Sequence, residues 1–355
     1  MRALVVTSVH RADDPRIRER TVRSLAAAFE VRYATRVPGP SAGGDHEWAE
    51  LAGGRGRRWW GALRQMCRGD LAVVSVHDPE LIPAALLARL LRRVPLVVDV
   101  HEDVPAQVRH KEWVPRLLRP GAAWAAARAL RLAERCGTIT LAEAGYRHLF
   151  RRDHPVFPNY PAAGSLPPLA PDAGYLVYAG DITEERGALD MVEAAGAMKE
   201  RRPLRLVGRC PADLAERLCR RAGELGVSLE LLGPLPHYRA MEVAAGASAG
   251  LSLLHALPNY IGSMPTKVVE YLAMGVPVVA SDLPGTREAV AGREGVALVP
   301  AGDPASAAAA LDLLAADGEA RRAATAQAPA LRESLVWPDE AVRTVYLAAA
   351  RGERR

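Results

Sequence analysis

The feature that most constrains this chain is a series of short β-branched runs that are apolar on both faces and are separated by longer helical patterns. Leu96-Val97-Val98-Asp99-Val100 is the clearest example. A strand exposed on one side alternates apolar and polar residues, whereas a parallel strand covered by helices on both faces does not. In the first half, strands are expected near residues 4–7, 71–76, 96–100 and 138–141, with helices over 17–29, 81–91 and 122–135. That is βαβ grammar. Around residues 155–171 the composition turns to proline, with Pro155, Pro158, Pro161, Pro167, Pro168 and Pro171, which suits a stiff extended connector. A second alternating series follows, with strands near 175–179, 204–207, 229–232, 250–254, 276–280 and 296–299. With 355 residues and 49% hydrophobic content there is material for two cores. The expected organisation is residues 1–158, a linker over 159–173, a second α/β domain over 174–336, and a closing helix over 337–355 that starts at Pro338 with Asp339 and Glu340 in its first turn. Two doubly wound sheets bind ligands beyond the carboxyl ends of their strands, so the expectation is two such edges facing each other across a cleft.

Composition removes several classes. No window approaches the roughly 18 uncharged apolar residues of a membrane span, and Met1-Arg2-Ala3-Leu4-Val5-Val6-Thr7 begins directly as a strand, so a cytoplasmic protein is expected. Cys67, Cys136, Cys210 and Cys219 are scattered and imply neither zinc nor disulfides. The formal charge of +5 decides nothing by itself. More informative is that Lys111, Lys199 and Lys267 are the only lysines among 46 Lys+Arg, which makes each retained lysine a candidate for a lysine-specific role. Arg55, Arg57 and Arg58 lie beside Trp59 and Trp60 in residues 54–61. One reading is a loop whose tryptophans pack under a helix; the other is a peripheral patch at the inner membrane face.

Residues 257–285 carry the most chemistry. Ser263 suits an N-cap, Pro265 a first helical turn and Gly275 a stop, so a short helix is expected between them. Its N-terminal N–H groups, with Ser263, Met264, Pro265 and Thr266, would offer positive potential to a diphosphate, and Lys267 would add a point charge. Glu270 lies one turn on, on the same face, and a carboxylate there can accept both hydroxyls of a ribose. The alternative is an exposed i,i+3 ion pair of Lys267 with Glu270, and spacing alone does not choose between the two.

This segment resembles the donor-binding helix of glycosyltransferase family 4, retaining enzymes of the two-domain GT-B fold. Other pieces match in order: Asp13-Asp14-Pro15-Arg16-Ile17 after the first strand, His77-Asp78-Pro79-Glu80, Asp99-Val100-His101-Glu102-Asp103, the linker Phe157-Pro158-Asn159-Tyr160-Pro161, and Tyr178-Ala179-Gly180-Asp181-Ile182-Thr183-Glu184-Glu185-Arg186-Gly187. The resemblance implies that Arg186 and Lys267 face the donor diphosphate and that His101 sits near the donor sugar. Nucleotide-sugar contacts are expected from Glu270, Gly262, Asn259, Arg209 and Leu235, with base and sugar identity depending on loop side chains such as Arg209, Leu235 and Tyr260, and acceptor-side positions from His10, Arg16 and Trp113. Two departures stand out. The family commonly carries two glutamates eight positions apart, and here Gly262 occupies the first position while Glu270 matches the second. Asp181 stands where many members have arginine.

The resemblance implies transfer of a hexose-type sugar from a nucleotide diphosphate to a polysaccharide, lipid-linked or small-molecule acceptor. Substitution would occur on the front face with retention, a leaving-group phosphate oxygen taking the acceptor proton. No cofactor is expected, since the nucleotide sugar is a substrate, and no metal, since Arg186 and Lys267 answer the phosphate charge. A Gly-x-Gly-x-x-Gly after the first strand is absent, which argues against a dinucleotide oxidoreductase on similar sheets; there is no Walker lysine motif, and no nucleic-acid partner is expected. Two alternatives stay open: a non-catalytic nucleotide-sugar-binding protein, and a sugar-nucleotide epimerase, for which His77, Asp78 and Glu102 would be acid–base candidates.

Overall fold

A computed structural model describes residues 1–10, 12–37, 46–110, 114–162, 164–315 and 318–353. The chain divides into two compact units, Met1–Asn159 with Trp337–Arg355, and Tyr160–Val336. Among the described residues each unit holds a six-stranded parallel sheet. In the first unit β1 (Arg2–Val6), β2 (Glu30–Thr35), β3 (His46–Glu50), β4 (Leu71–Val76), β5 (Leu96–Val100) and β6 (Thr138–Leu141) run in the order β3-β2-β1-β4-β5-β6. In the second, β7 (Leu176–Ala179), β8 (Leu204–Val207), β9 (Leu229–Gly233), β10 (Ala249–Ser252), β11 (Val278–Ser281) and β12 (Val296–Val299) run β12-β11-β10-β7-β8-β9. Both are doubly wound. The strand order reverses between β1 and β4, and again between β7 and β10, so each unit has a crevice at that point beyond its strand ends.

The central strands are buried along their whole length, as in β5 and β7, whereas the edge strands β9 and β12 are partly exposed. Helices Arg55–Met66, Ile82–Arg92 and Arg119–Cys136 pack their inner faces on one side of the first sheet through Ala62, Leu63, Met66, Ala85, Ala88, Leu130 and Ala133. The opposite side packs on Val22, Leu25, Trp337, Val342 and Tyr346. The last helix, Asp339–Ala350, therefore completes the core of the first unit, though it follows the second in sequence.

Three expectations are corrected. Strands β2 and β3 were not legible: β3, His-Glu-Trp-Ala-Glu, is an edge strand with one fully buried residue and an alternating polar face. The expected helix over 17–29 is π-wound over Ile17–Val22 and then α-helical only over Arg23–Ala26. Residues 54–61 do not form a loop. They start the helix Arg55–Met66, in which Trp59 packs against the core while Trp60 is 64% exposed.

Candidate functional site

In the second unit the loops after β7, β8 and β10 leave adjacent strands at the crevice. The helix Thr266–Ala273 lies just beyond the β10 loop and is anchored by Tyr271, whose fully buried hydroxyl accepts the Ala179 N–H at 2.8 Å from the end of β7. The Tyr271 ring lies flat on Gly250, where a Cβ would come within 2.3 Å of it. The helix is fixed by packing. Its start differs from the expected one: Pro265, not Ser263, occupies the N-cap position, and no side chain caps the terminus. Met264 precedes proline and is thereby pushed out of the helical region, which delays the helix to Thr266. Ser263 instead closes the short helix Pro258–Ile261, its N–H donating to the Tyr260 carbonyl at 3.3 Å.

Lys267 Nζ donates to Glu270 Oε2 at 2.8 Å, and His237 Nε2 stands 4.0 Å from Oε1. Glu270 is only 1% exposed, whereas the Lys267 side chain keeps a quarter of its surface. The ion pair forms, but it is not the exposed pair that spacing allowed. A buried carboxylate beside a reachable ammonium is an arrangement that a competing anion can reopen, because a charged group desolvated without a partner is costly.

Arg186, at the end of the β7 loop, is placed over the Tyr260 ring with 6.0 Å from its guanidinium carbon to the ring centroid, and its Nη1 donates to the Tyr178 hydroxyl at 3.4 Å. Gly187 follows with φ +76°, and a Cβ there would collide with the Leu253 carbonyl at 2.0 Å, so only glycine lets the β7 and β10 loops meet. Arg209, after β8, forms a fork with Asp181: Nε to Oδ1 at 3.0 Å and Nη2 to Oδ2 at 3.1 Å. The residue that departs from the family pattern thus holds Arg209, one of the expected nucleotide-sugar contacts. Asn259, Gly262 and Leu235 are exposed. Gly262 sits at φ −104° with open space where a Cβ would be, so neither its backbone nor its packing demands glycine.

The first unit gathers a second set at the ends of β1, β4 and β5. His10 Nδ1 lies 3.3 Å from Asp14 Oδ2, and its Nε2 lies 3.2 Å from Asp78 Oδ1 and 3.0 Å from His101 Nε2. Partial burial opposes its charge, but the hydrogen bond to Asp14 and the charges of Asp78 and Asp14 prevail and raise His10 to about 9. His101 goes the other way. Desolvation pushes it down to about 4, aided by the Arg16 and His10 charges against the pull of Asp99. At neutral pH the pair is an imidazolium donating to a neutral imidazole.

Arg16, expected on the acceptor side, has its guanidinium fully engaged within the first unit. It is buried; its Nε and Nη2 each reach Asp99 at 2.8 Å, and its Nη1 donates to the Phe157 carbonyl at 3.0 Å and to Asn159 Oδ1 at 2.7 Å. It clamps the segment after β1 to β5 and to residues 157–159. Trp113 lies outside the described residues. His77, Asp99 and His101 offer ligand atoms within 4.8 Å of one another, but Arg16 donates to both Asp99 oxygens, so the positive charge a metal would bring is already supplied.

Asp78, an acid–base candidate in the sequence, is engaged by the loop after β1. Its Oδ2 accepts the Thr7 hydroxyl at 2.8 Å, the Val9 N–H at 3.1 Å and the Ser8 N–H. The amides that follow the first strand of such a sheet are where a phosphate ordinarily sits, and here a fixed carboxylate occupies them.

Residues 173–317, within the second unit, match the family model of Glycosyl transferases group 1. Over 114 residues the chain is 28% identical to a Bacillus subtilis (strain 168) protein, TuaC, named for a glycosyltransferase role in teichuronic acid biosynthesis; the match spans 32% of this chain and about a quarter (26%) of that relative. Along 99% of its length the chain is similar to Anabaena Alr3699/HepE, solved in complex with UDP-glucose, with TM-score 0.75, 12% identity and 100% of that chain covered. Sucrose-phosphate synthase from Thermosynechococcus elongatus gives TM-score 0.75 at 16% identity, covering 99% of this chain and 98% of the other. The fold is GT-B: two Rossmann-like units with parallel sheets.

Proposed function

We propose that the protein is a glycosyltransferase that takes a hexose-type sugar from a nucleoside diphosphate and transfers it with retention. The observation that carries this reading is the crevice of the second unit, where an uncapped helix terminus, Lys267, a buried Glu270 and Arg186 converge on the elements that leave β7 and β10. Family likeness over residues 173–317 and the UDP-glucose held by a protein of the same fold support it.

In this reading the diphosphate docks at the N-terminus of the helix Thr266–Ala273, which no side chain caps, and draws the Lys267 ammonium off Glu270. Glu270 then accepts the ribose hydroxyls in place of the lysine, so its burial is never left uncompensated. Arg186, held flat by Tyr178 and Tyr260, meets charge that develops on the leaving phosphate without having to reorganise. The occupied β1 loop of the first unit argues for the same division of labour: Asp78 takes the amides a phosphate would need, which leaves the first unit to the acceptor. There His10 and His101 present one charged and one neutral ring at the strand ends.

Incubation of the protein with a panel of nucleotide sugars, following nucleoside diphosphate release, tests the reading. Release with one donor, lowered about tenfold to a hundredfold in kcat by Arg186→Ala, is expected. Binding of a donor with no release or transfer would favour a non-catalytic nucleotide-sugar-binding protein, which Gly262 in place of a glutamate would then explain.

A further inference from the structure

We propose that the outer face of the helix layer of the first unit, centred on residues 116–136, is a docking surface for an anionic lipid bilayer. This is not the patch that the density of tryptophan and arginine at residues 54–61 picks out. No helix among the described residues is long and apolar enough to cross a membrane, so the contact is a surface one.

Four large apolar side chains stand in solvent along this face: Leu117 at 95% exposure, Leu118 at 62%, Trp124 at 67% and Leu132 at 47%. The helix Arg119–Cys136 turns Ala123, Leu130 and Ala133 inward, so Trp124 and Leu132 are left on the outside by the helical period and not by disorder. Its neighbour Ile82–Arg92 adds Leu90 at 77% and Leu91 at 62% at its outer end. A stripe this apolar is costly in water and marks a contact surface.

The charges say what the contact is. Arg116, Arg128, Arg131 and Arg135 are exposed between those apolar side chains, and Arg128 lies over the Trp124 ring at 5.8 Å. Residues 114–133 contain no acidic residue, nor do residues 81–98. The one acid in the helix, Glu134, points inward and is bound by His154 at 3.0 Å and by the N–H groups of Arg151 and Arg152. Cations and apolar side chains alternate turn by turn along the face. A protein interface collects its apolar residues in a core with a polar rim, and a nucleic-acid surface has no use for exposed leucine. A lipid headgroup layer takes both together: guanidinium groups at phosphate level, and leucine and tryptophan just below it.

The inference does not rest on the transfer reaction, and its test needs no donor. The full chain is floated with vesicles of phosphatidylcholine alone and with about 30% phosphatidylglycerol, at low and raised salt. Binding to the anionic vesicles alone is expected, weakened by salt. The paired variants Leu117→Ser with Trp124→Ser, and Arg128→Gln with Arg131→Gln, are each expected to lower affinity about tenfold or more with unchanged thermal unfolding. No preference for anionic vesicles, or equal binding by wild type and both variants, would overturn the proposal. So would loss of binding in the arginine variant alone, since apolar insertion would then have no part. Concentration-dependent dimers abolished by Leu117→Ser, without vesicle binding, would assign the face to a second copy of the chain and refute the lipid assignment.

Discussion

At the scale of single residues, the ionisation of two neighbouring histidines is the most specific consequence of the structure. His10 is protonated in the folded chain up to about pH 9, against an ordinary 6.5, so its stabilising contribution is complete below pH 6.5 and lost as pH rises toward 9. His101 is held neutral down to about pH 4, so the folded state loses stability as pH falls from 6.5 toward 4. Ring titration by NMR should place His10 near 9 and His101 near 4; two midpoints close to 6.5 would contradict the geometry. His10→Gln should cost stability at pH 6 and nothing above pH 9, as read by urea unfolding at each pH. Gly262 carries a second prediction. Because its backbone is unstrained and a Cβ meets nothing, Gly262→Glu should fold as the parent does. Regaining a hydrogen bond to the donor sugar is worth about 1–3 kcal/mol, so kcat/KM should rise about tenfold to a hundredfold. A melting temperature unchanged with kcat/KM lowered would show that glycine is required at the sugar.

At the scale of elements, what could be read from sequence and what could not follows from burial. β5 and β7 are covered on both faces and announce themselves as apolar runs, while β3 is an edge strand whose polar alternation resembles a loop. The helix Arg55–Met66 hid behind Gly53, Gly54, Gly56 and Gly61, since glycine is a poor helix former. Its signal was the buried spacing of Ala62, Leu63 and Met66 with Trp59. The Lys267 and Glu270 pairing was legible because three residues along one helix fix a shared face. The clusters around Asp78 and Asp99 were not, because topology alone brings residues from β1, β4 and β5 together. Asp99 gives the element-scale prediction. It is 5% exposed and held on both oxygens by Arg16, so Arg16→Ala should destabilise the first unit by about 3–5 kcal/mol in denaturant unfolding. A loss below about 1 kcal/mol would mean that the clamp is dispensable.

At the scale of the whole molecule, the two units share an architecture and differ in what their crevices can accept. The first fills the amides after its opening strand with its own carboxylate, Asp78, and sets two coupled histidines beside it. The second leaves a helix terminus uncapped, with a lysine that can change partners. A nucleoside diphosphate is therefore expected to slow amide exchange over residues 180–187, 208–210 and 255–270, and to leave residues 7–10 unprotected. Protection centred on residues 7–10 would assign the donor to the wrong unit.

The most direct measurement is calorimetric binding of UDP, GDP, ADP and dTDP to the wild-type chain and to Lys267→Ala and Glu270→Gln, each variant first shown to be folded. The account predicts that one of the four binds and that both substitutions weaken it about tenfold or more, each removing one charge-assisted contact. Binding that is equally tight in both variants, or no binding by any of the four, would contradict the claim that the helix Thr266–Ala273 is the donor site.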